Sequence, residues 1–410
     1  MPFKRYLFAA VATLLLAGFS AWLLPFGWRQ RHLTYRDYTF SAEEARALRH
    51  FPEAMAAFGQ RAWFALDAEG AATFYRQAVA RDPARMGVWL KLAEAEAAAG
   101  RPGTARDMVA FVDRQAGKVM RWQWPTALLA NDLGQEEIFR GCVNRLAARG
   151  WKLADTFSLA DTHFRSDARA TLNALEPAAR PAYLEWLMRW GRLEDARAVW
   201  RAMAADGSIN DSIHLKFVDF LISKKAVAEA GAIWYGHEGA DGMTNGDFER
   251  AVSNTGFDWR WGRSSNGQWS VQQAIGQGRD HGTAARLTFY GQENLAFTNF
   301  YQIVPVTPGV AHHLRWWWRG KALTTDQGPF VEVTGYDCKG LRAASPMLTG
   351  SRDWTPETLT FTPPEDCRAV MVRLRRNRSN RFDSKIAGTL WVDDFVMEPA
   401  SRAVSAAKTD

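Results

Sequence analysis

Two pairs of adjacent side chains in the C-terminal half have residue types suited to acid–base chemistry, Asp393-Asp394 and His312-His313. Both pairs fall in segments that predict β-strands, where adjacent side chains point to opposite faces of the sheet. Neither pair can therefore converge on one substrate atom, whereas glycoside hydrolysis needs two facing carboxylates roughly 5–10 Å apart. The sequence also contains no GxSxG, Walker, HExxH or glycine-rich dinucleotide motif. We therefore expect that the protein is not an enzyme.

A second set of residues suits binding rather than catalysis. Strand alternation predicts that five aromatic or basic residues of two segments turn away from the apolar core. They are Trp317, Arg315, Arg319, Arg373 and Arg375. Aromatic planes stack on sugar rings, and guanidinium groups bind carboxylates in a bidentate way. The set predicts a binding face for an acidic polysaccharide, and the alternative is a solvated surface of arginines over core tryptophans.

Other tryptophans could serve the same purpose, because the chain contains 19 of them. Trp259, Trp261 and Trp269 lie in a Gly- and Ser-rich segment and are alternative platforms for a sugar ring. Trp122 and Trp186 instead lie in the helical half, where their spacing predicts core positions.

The three cysteines limit the redox chemistry. Cys338 and Cys367 lie 29 positions apart in the C-terminal half and predict a disulfide if this region is outside the cytoplasm. The alternative is two unrelated buried thiols. Cys142 lies in a helical pattern and is predicted to be a buried free thiol. No histidine stands at ligand spacing from any of them, so we expect no zinc site.

The N-terminus predicts a membrane anchor. Residues 7–28 contain no charged side chain over 22 positions, which is enough to cross the roughly 30 Å hydrocarbon core as a helix. Lys4 and Arg5 precede this stretch, so a cleaved secretory signal is the alternative. Such a signal would have a long apolar part, and its cleavage site would be poor. We predict an uncleaved signal anchor over residues 1–28, with the bulk of the chain outside the cytoplasm.

The first half of the chain is rich in Ala, Leu, Arg and Glu, which is typical of helices. Small or apolar residues recur there at an interval of 34 residues. Examples are Ala71, Ala105 and Phe139, and then Ala196 and Ala230. This pattern resembles the tetratricopeptide repeat. The resemblance implies that residues 40–236 form an α-solenoid that docks protein partners, and a generic array of helical hairpins is the alternative.

Residues 240–400 consist of short alternating segments separated by Gly, Pro and Asn, which predicts an antiparallel β-sandwich. The segment 245–249 (NGDFE), Trp259 and the segment 390–396 (LWVDDFV) together resemble a jelly-roll carbohydrate-binding module. The resemblance implies a jelly roll over residues 240–400, followed by a flexible tail at 401–410. The predicted fold class is therefore multidomain, with a transmembrane helix, an α-solenoid and a β-sandwich.

The same resemblance implies a structural calcium ion between the first and last strands. Glu249, Asp393 and Asp394 occupy the matching positions, and carboxylates are ligands that this hard cation prefers. The alternative is that the two aspartates are surface acids or pair with nearby arginines.

This arrangement resembles accessory components of bacterial exopolysaccharide or O-antigen assembly. It implies a single-pass protein of the inner membrane, mainly periplasmic, that binds polysaccharide and protein partners without catalysing a reaction. The net charge of +7 permits nucleic acid, anionic lipid or an acidic polymer as partner, and we expect polysaccharide rather than nucleic acid. A protein-assembly factor without sugar binding and a carbohydrate-active enzyme are the alternatives.

Overall fold

The computed structural model describes residues 48, 50–236, 242–264, 266–382 and 384–400. The predicted anchor at 1–28 and the predicted tail at 401–410 lie outside the described residues. None of the described helices combines the length and the apolarity needed to cross a bilayer.

The described part of the N-terminal half is helical, with twelve α-helices and a short 3-10 helix, Pro177–Ala179. The helices are Pro52–Phe64 (α1), Ala68–Arg81 (α2), Met86–Ala98 (α3), Pro102–Ala116 (α4), Met120–Asp132 (α5), Glu136–Ala148 (α6), Leu153–His163 (α7), Ala168–Ala174 (α8), Arg180–Arg189 (α9), Leu193–Asp206 (α10), Asp211–Ser223 (α11) and Val227–Tyr235 (α12).

The 34-residue interval corresponds to successive helical hairpins. The first helices of three hairpins begin at Pro52, Met86 and Met120, each 34 residues after the one before. Ala71 and Ala105 lie in the second helices and are fully buried, because small side chains let the paired helices approach closely. The helices of these hairpins pack against their neighbours in chain order, as in a solenoid.

A buried ion pair connects neighbouring hairpins. Glu96 of α3 is completely buried. Its carboxylate accepts hydrogen bonds from Arg76 of α2 at 2.7 Å and from Arg101 at 2.5 Å, and Arg101 also binds Glu69 of α2. Hydrogen-bonded charges therefore link these two hairpins.

The C-terminal half is a sandwich of two antiparallel five-stranded sheets. The first sheet has the order β1-β4-β9-β6-β7 and the second has the order β2-β3-β10-β5-β8. The strands are Arg260–Trp261 (β1), Trp269–Ile275 (β2), Thr283–Tyr290 (β3), Phe297–Pro305 (β4), His312–Thr324 (β5), Phe330–Gly335 (β6), Arg342–Ala344 (β7), Gly350–Phe361 (β8), Ala369–Arg376 (β9) and Ala387–Pro399 (β10).

The core of the sandwich lies between the inner faces of the two sheets. Trp316 and Trp318 of β5 are buried there together with Val370 and Val372 of β9. Alternation along each strand therefore turns Trp317, Arg315 and Arg319 of β5 and Arg373 and Arg375 of β9 to the outer surfaces. Cys338 and Cys367 form a disulfide with their Cα atoms 4.9 Å apart, and Cys142 is a buried free thiol in α6.

The described residues form two compact units. The first comprises the residues up to Trp190 together with Glu194–Ser208, and the second comprises Gly191–Leu193 and the residues from Ile209 onward. The hairpin α11–α12 therefore belongs to the same compact unit as the sandwich, although the composition changes only after it, near residue 240.

Specific contacts within the second unit join this hairpin to the sandwich. Asp219 of α11 forms an ion pair with Arg260 of β1 and accepts a hydrogen bond from the backbone N–H of Gly256 at 2.8 Å. Lys225 Nζ lies 3.2 Å from the ring centroid of Tyr336, whose hydroxyl donates to the carbonyl of Ile222 at 3.0 Å. The hairpin is thus an integral part of this unit.

Candidate functional site

The structure divides the five predicted ligand-binding side chains between the two sheets. Arg315, Trp317 and Arg319 lie on β5 of the second sheet, whereas Arg373 and Arg375 lie on β9 of the first. The other faces of β5 and β9 meet in the shared core. The two outer surfaces therefore point in opposite directions. The prediction that one site combines all five residues is wrong.

Arg373 and Arg375 bind a buried carboxylate instead. Glu332 of β6 is completely buried and accepts hydrogen bonds from Arg373 Nε at 2.7 Å and Arg375 Nη1 at 3.0 Å. Arg342 of β7 donates to the same carboxylate at 2.9 Å. Burial alone raises the pKa of Glu332, but hydrogen bonds from Arg373, Arg375 and Arg342 outweigh it, so the pKa lies below its ordinary value. These three arginines therefore stabilise the sheet by binding Glu332.

Two of the three alternative tryptophan platforms are buried and cannot present a ring face to a sugar. Trp259 is completely buried, and its indole N–H donates to the carbonyl of Asn245 at 3.0 Å. Trp269 is also buried. Trp261 packs against the core with its ring 5.7 Å from that of Phe300 and almost parallel to it. The prediction of Trp259 as a platform is wrong, because its side chain fills the space between the two sheets.

A row of aromatic and polar side chains crosses the outer face of the second sheet. From one edge to the other it consists of Trp354 on β8, Arg319 on β5, Trp391 on β10, Arg286 on β3 and Gln272 on β2. We call these five residues the tryptophan–arginine row. The guanidinium carbon of Arg319 lies 4.4 Å from the ring centroid of Trp391 and 5.1 Å from that of Trp354. Arg319 is therefore held between two indole rings.

The two tryptophans of the row differ in exposure. Trp391 is only 9% exposed, and its indole N–H donates to Gln277 Oε1 at 2.9 Å. Trp354 lies on the edge strand β8 and is half-buried. Because Arg319 also donates to the carbonyl of Gln277 at 3.3 Å, the loop after β2 fixes both the ring of Trp391 and the guanidinium group beside it.

The other predicted residues of β5 have partners of their own. Trp317 is half-buried, and the guanidinium carbon of Arg279 lies 4.7 Å from its ring centroid. Arg315 is exposed and forms an ion pair with Glu398 at 2.9 Å. Trp317 therefore extends the aromatic surface beside the row, whereas the charge of Arg315 is already neutralised.

The three predicted metal ligands lie near one another around the loop after β2. Glu249 accepts a hydrogen bond from the backbone N–H of Thr283 at 2.6 Å. Asp393 is buried and accepts hydrogen bonds from the backbone N–H groups of Arg279 at 2.9 Å and Asp394 at 2.7 Å. Asp394 adopts a positive φ of 51° at a bulge of β10 and binds Arg279 Nε at 2.6 Å. Its carboxylate is therefore neutralised within the protein.

Two glycines let this loop pass close to the carboxylates. A Cβ atom on Gly282 would collide with Glu249 Oε1, and one on Gly278 would lie 2.9 Å from Asp393 Oδ2. Burial raises the pKa of Asp393 to about 6, against the lowering effect of its two backbone hydrogen bonds, and the charges of Asp394 and Glu249 raise it as well. The loop thus surrounds the buried carboxylate of Asp393, whose negative charge is not balanced by nearby positive charge.

Glu249 and Asp393 fit a hard cation in residue type and in their shortage of positive charge. The oxygens of all three predicted ligands are not gathered at coordination distance. Among the residues that the structure describes, the three potential ligands with donor atoms within 4.8 Å of one another are Asp337, Cys338 and Cys367, and both cysteines are in the disulfide. A calcium ion would therefore use Glu249 and Asp393, with Asp394 held by Arg279.

Four members of the row were not predicted from the sequence, namely Trp354, Trp391, Arg286 and Gln272. Trp391 and Arg286 could have been found, because each alternates with residues buried in the core, Leu390 and Val392 on one strand and Ala285 and Leu287 on the other. Trp354 and Gln272 carry no such signal, because only the pairing of the strands brings them into the row.

No protein-family model and no curated protein matches this sequence. Among solved structures, the chain is similar to a family 16 carbohydrate-binding module, with 16% identity, 38% of this chain and 98% of that chain covered, and a TM-score of 0.27. It is similar to a structure described as CBM4 structure and function, with 17% identity, 38% and 99% coverage and a TM-score of 0.28.

A further similar structure contains the CBM22-1 and GH10 modules of xylanase 10B from Clostridium thermocellum in complex with xylohexaose. The identity is 11%, 39% of this chain is covered, and the TM-score is 0.28. This chain spans only 29% of that xylanase structure. Likenesses at these identities and TM-scores carry no conclusion about ligands.

Proposed function

We propose that this chain is a non-catalytic binding protein whose sandwich holds a polysaccharide across the outer face of its second sheet. The tryptophan–arginine row carries the proposal, because Trp354 and Trp391 lie on either side of Arg319. The flat apolar face of an indole ring suits the C–H face of a sugar, and the guanidinium group supplies donors to its oxygens. Five adjacent strands span roughly 19 Å, which suits an oligosaccharide segment rather than a single sugar.

The helical unit would dock a protein partner in the same proposal. A groove of about 780 Å³ supports this role, since Leu90 and Leu129 of α3 and α5 line it together with Trp122. Charged residues at the same groove, including Lys91 and Glu94, would orient the partner. We propose a tetratricopeptide-like scaffold that is anchored in the inner membrane, lies mainly in the periplasm and assists polysaccharide assembly or export.

The test is binding of the purified full-length protein to an array of bacterial polysaccharides. Trp354→Ala is expected to weaken binding at least tenfold, which corresponds to about 1.4 kcal/mol, because it removes the half-buried ring of the row. Trp317→Ala is expected to weaken binding less, since Trp317 lies beside the row and not in it. Affinity electrophoresis or calorimetry would measure both effects.

Trp190→Ala is the matched control, because Trp190 is 65% exposed but belongs to the helical unit. It should leave the affinity unchanged. If Trp354→Ala binds glycan as tightly as the unchanged protein, with an unaltered circular dichroism spectrum, the row is not the binding face. If no polysaccharide binds, a protein-assembly factor without sugar binding becomes the better description.

We also propose that Glu249 and Asp393 hold a structural calcium ion. Without calcium, Asp393→Asn removes the cost of ionising a buried carboxylate, but its single amide oxygen can accept from only one of the two backbone N–H groups that Asp393 binds. These effects oppose each other, so the stability of the variant at pH 7.5 is expected to lie within roughly 1 kcal/mol of that of the unchanged protein. The pKa of Asp393 is raised to about 6 in the folded state. Its contribution to stability is therefore present below about pH 4 and lost as the pH rises through 6, and Asp393→Asn should lack this loss.

Calcium should separate the two proteins in a thermal melt. The ion should raise the Tm of the unchanged protein and leave that of Asp393→Asn unaffected. Asp394→Asn is the matched control and should keep the calcium response, because Asp394 binds Arg279. An equal response to calcium in all three proteins would argue against the site.

A further inference from the structure

A basic depression lies beside the tryptophan–arginine row, between β5 and β8. It has a volume of about 580 Å³, and its lining includes Arg319, Lys321, Ser351, Arg352, Asp353 and Trp391. Lys321, Ser351, Arg352 and Asp353 are exposed, whereas Trp391 is buried. The depression is therefore open to solvent at its rim and reaches the aromatic part of the row.

The charges around the depression do not balance. Three cationic side chains, Arg319, Lys321 and Arg352, face the single carboxylate of Asp353, which accepts a hydrogen bond from the backbone N–H of Trp354 at 2.9 Å. Within the part of the chain that the structure describes, none of these three cations forms an ion pair with a carboxylate. The depression is thus a region of uncompensated positive charge.

Four other arginines on the outer faces of this sandwich are neutralised by carboxylates, unlike those of the depression. Arg315 on the same strand pairs with Glu398, and Arg279 pairs with Asp394. On the opposite surface, Arg373 and Arg375 pair with Glu332. The depression therefore gathers three cations without carboxylate partners beside arginines that are paired.

Arg319 is also preorganised for binding. Its guanidinium group lies between the rings of Trp354 and Trp391, and one donor is used by the carbonyl of Gln277 at 3.3 Å. The remaining donors can form a fork toward an anion without further loss of side-chain freedom. Next to Trp391, Arg286 has a buried Nε atom without a hydrogen-bond partner, so a second donor of the row is unsatisfied.

We propose that this depression binds the anionic group of an acidic sugar, a carboxylate or an ester sulfate, while the sugar ring lies against Trp354. This inference rests on the proposed glycan binding and adds the substrate class and the residues that select it. Arg319 donates to the anion through its fork, and Lys321 and Arg352 supply further charge from the two strands that border the depression.

The experiment compares matched pairs of polymers with the full-length protein. Polygalacturonate is compared with its fully methyl-esterified form, and dextran sulfate is compared with dextran. At least one acidic polymer should bind at least tenfold more tightly than its neutral counterpart. The double variant Lys321→Gln/Arg352→Gln should abolish this preference and should bind the neutral polymers as before, because Trp354 and Trp391 remain.

Arg315→Gln is the matched control, because Arg315 lies on the same strand and face but is paired with Glu398. It should change the affinity for acidic polymers less than twofold. An equal loss in Arg315→Gln and in the double variant would overturn the inference in favour of nonspecific attraction by the net charge. Equal binding of acidic and neutral polymers would overturn the inference and leave glycan binding intact, whereas binding of none of the four would count against both.

Discussion

A sandwich fragment that begins at residue 237 is expected to lose about 5 kcal/mol of unfolding free energy relative to a fragment that begins at residue 209. The shorter fragment lacks Asp219, which binds Arg260 and the backbone of Gly256. It also lacks Lys225 beside the ring of Tyr336. Because the stability of a domain is typically 5–15 kcal/mol, this loss removes a large part of it.

The same truncation uncovers aromatic surface. Trp234 and Tyr235 pack against Phe257 with ring centroids 6.4 and 5.9 Å apart. Their removal leaves Phe257, which is completely buried in the intact unit, partly open to water. Urea denaturation of the two fragments, followed by tryptophan fluorescence, would measure the difference.

Asp219→Asn in the longer fragment separates the polar part of this contact from the apolar part. It should cost roughly 1–2 kcal/mol, because the ion pair with Arg260 is lost while the amide oxygen can still accept from Gly256. Two fragments with the same denaturation midpoint would show that the hairpin is not needed for the sandwich to fold.

Glu332→Gln is expected to lower the unfolding free energy of the sandwich by about 4 kcal/mol. Glu332 is completely buried, and its carboxylate binds Arg342, Arg373 and Arg375. The substitution leaves three guanidinium groups close together without a counter-charge. Chemical denaturation at pH 7 would measure the loss.

The pH dependence of stability should change in the same variant. The folded state holds the pKa of Glu332 below its ordinary value, because hydrogen bonds from Arg373, Arg375 and Arg342 outweigh the effect of burial. The contribution of this group is therefore present above about pH 4.5 and lost as the pH falls through the lower pKa of the folded state. Glu332→Gln should lack this component of acid destabilisation.

Arg342→Gln is the matched control for the same cluster, because the Arg342 side chain is 63% exposed. Its removal should cost less than about 1 kcal/mol, since exposed ion pairs contribute little. Equal costs for Glu332→Gln and Arg342→Gln would mean that the buried carboxylate is not the centre of the cluster.

Much of the fold could be predicted from local sequence patterns. The 34-residue interval predicted the helical hairpins, because Ala71, Ala105 and Phe139 take equivalent buried positions in successive hairpins. Strand alternation predicted correctly that Trp316 and Trp318 fill the core. Both patterns arise from contacts that recur at a fixed spacing along the chain, so they are visible without knowing the tertiary structure.

The candidate site was harder to predict, because its residues come together across strands. Alternation assigns a face within a strand but does not say which sheet the strand joins. Arg319 and Arg373 were therefore placed in one site, although β5 and β9 belong to different sheets. For the same reason the pairing of Asp219 with Arg260 could not be seen, since it depends on how the last hairpin packs within its unit.

Two glycines make the loop after β2 sensitive to small amino-acid substitutions. Gly278 and Gly282 lie so close to Asp393 and Glu249 that a single methyl group at either position would displace an acidic side chain. Replacement of either glycine by alanine, usually a mild change, would therefore disturb the loop without altering either acid. Relatives that keep this loop should be recognised by the spacing of their glycines as much as by their carboxylates.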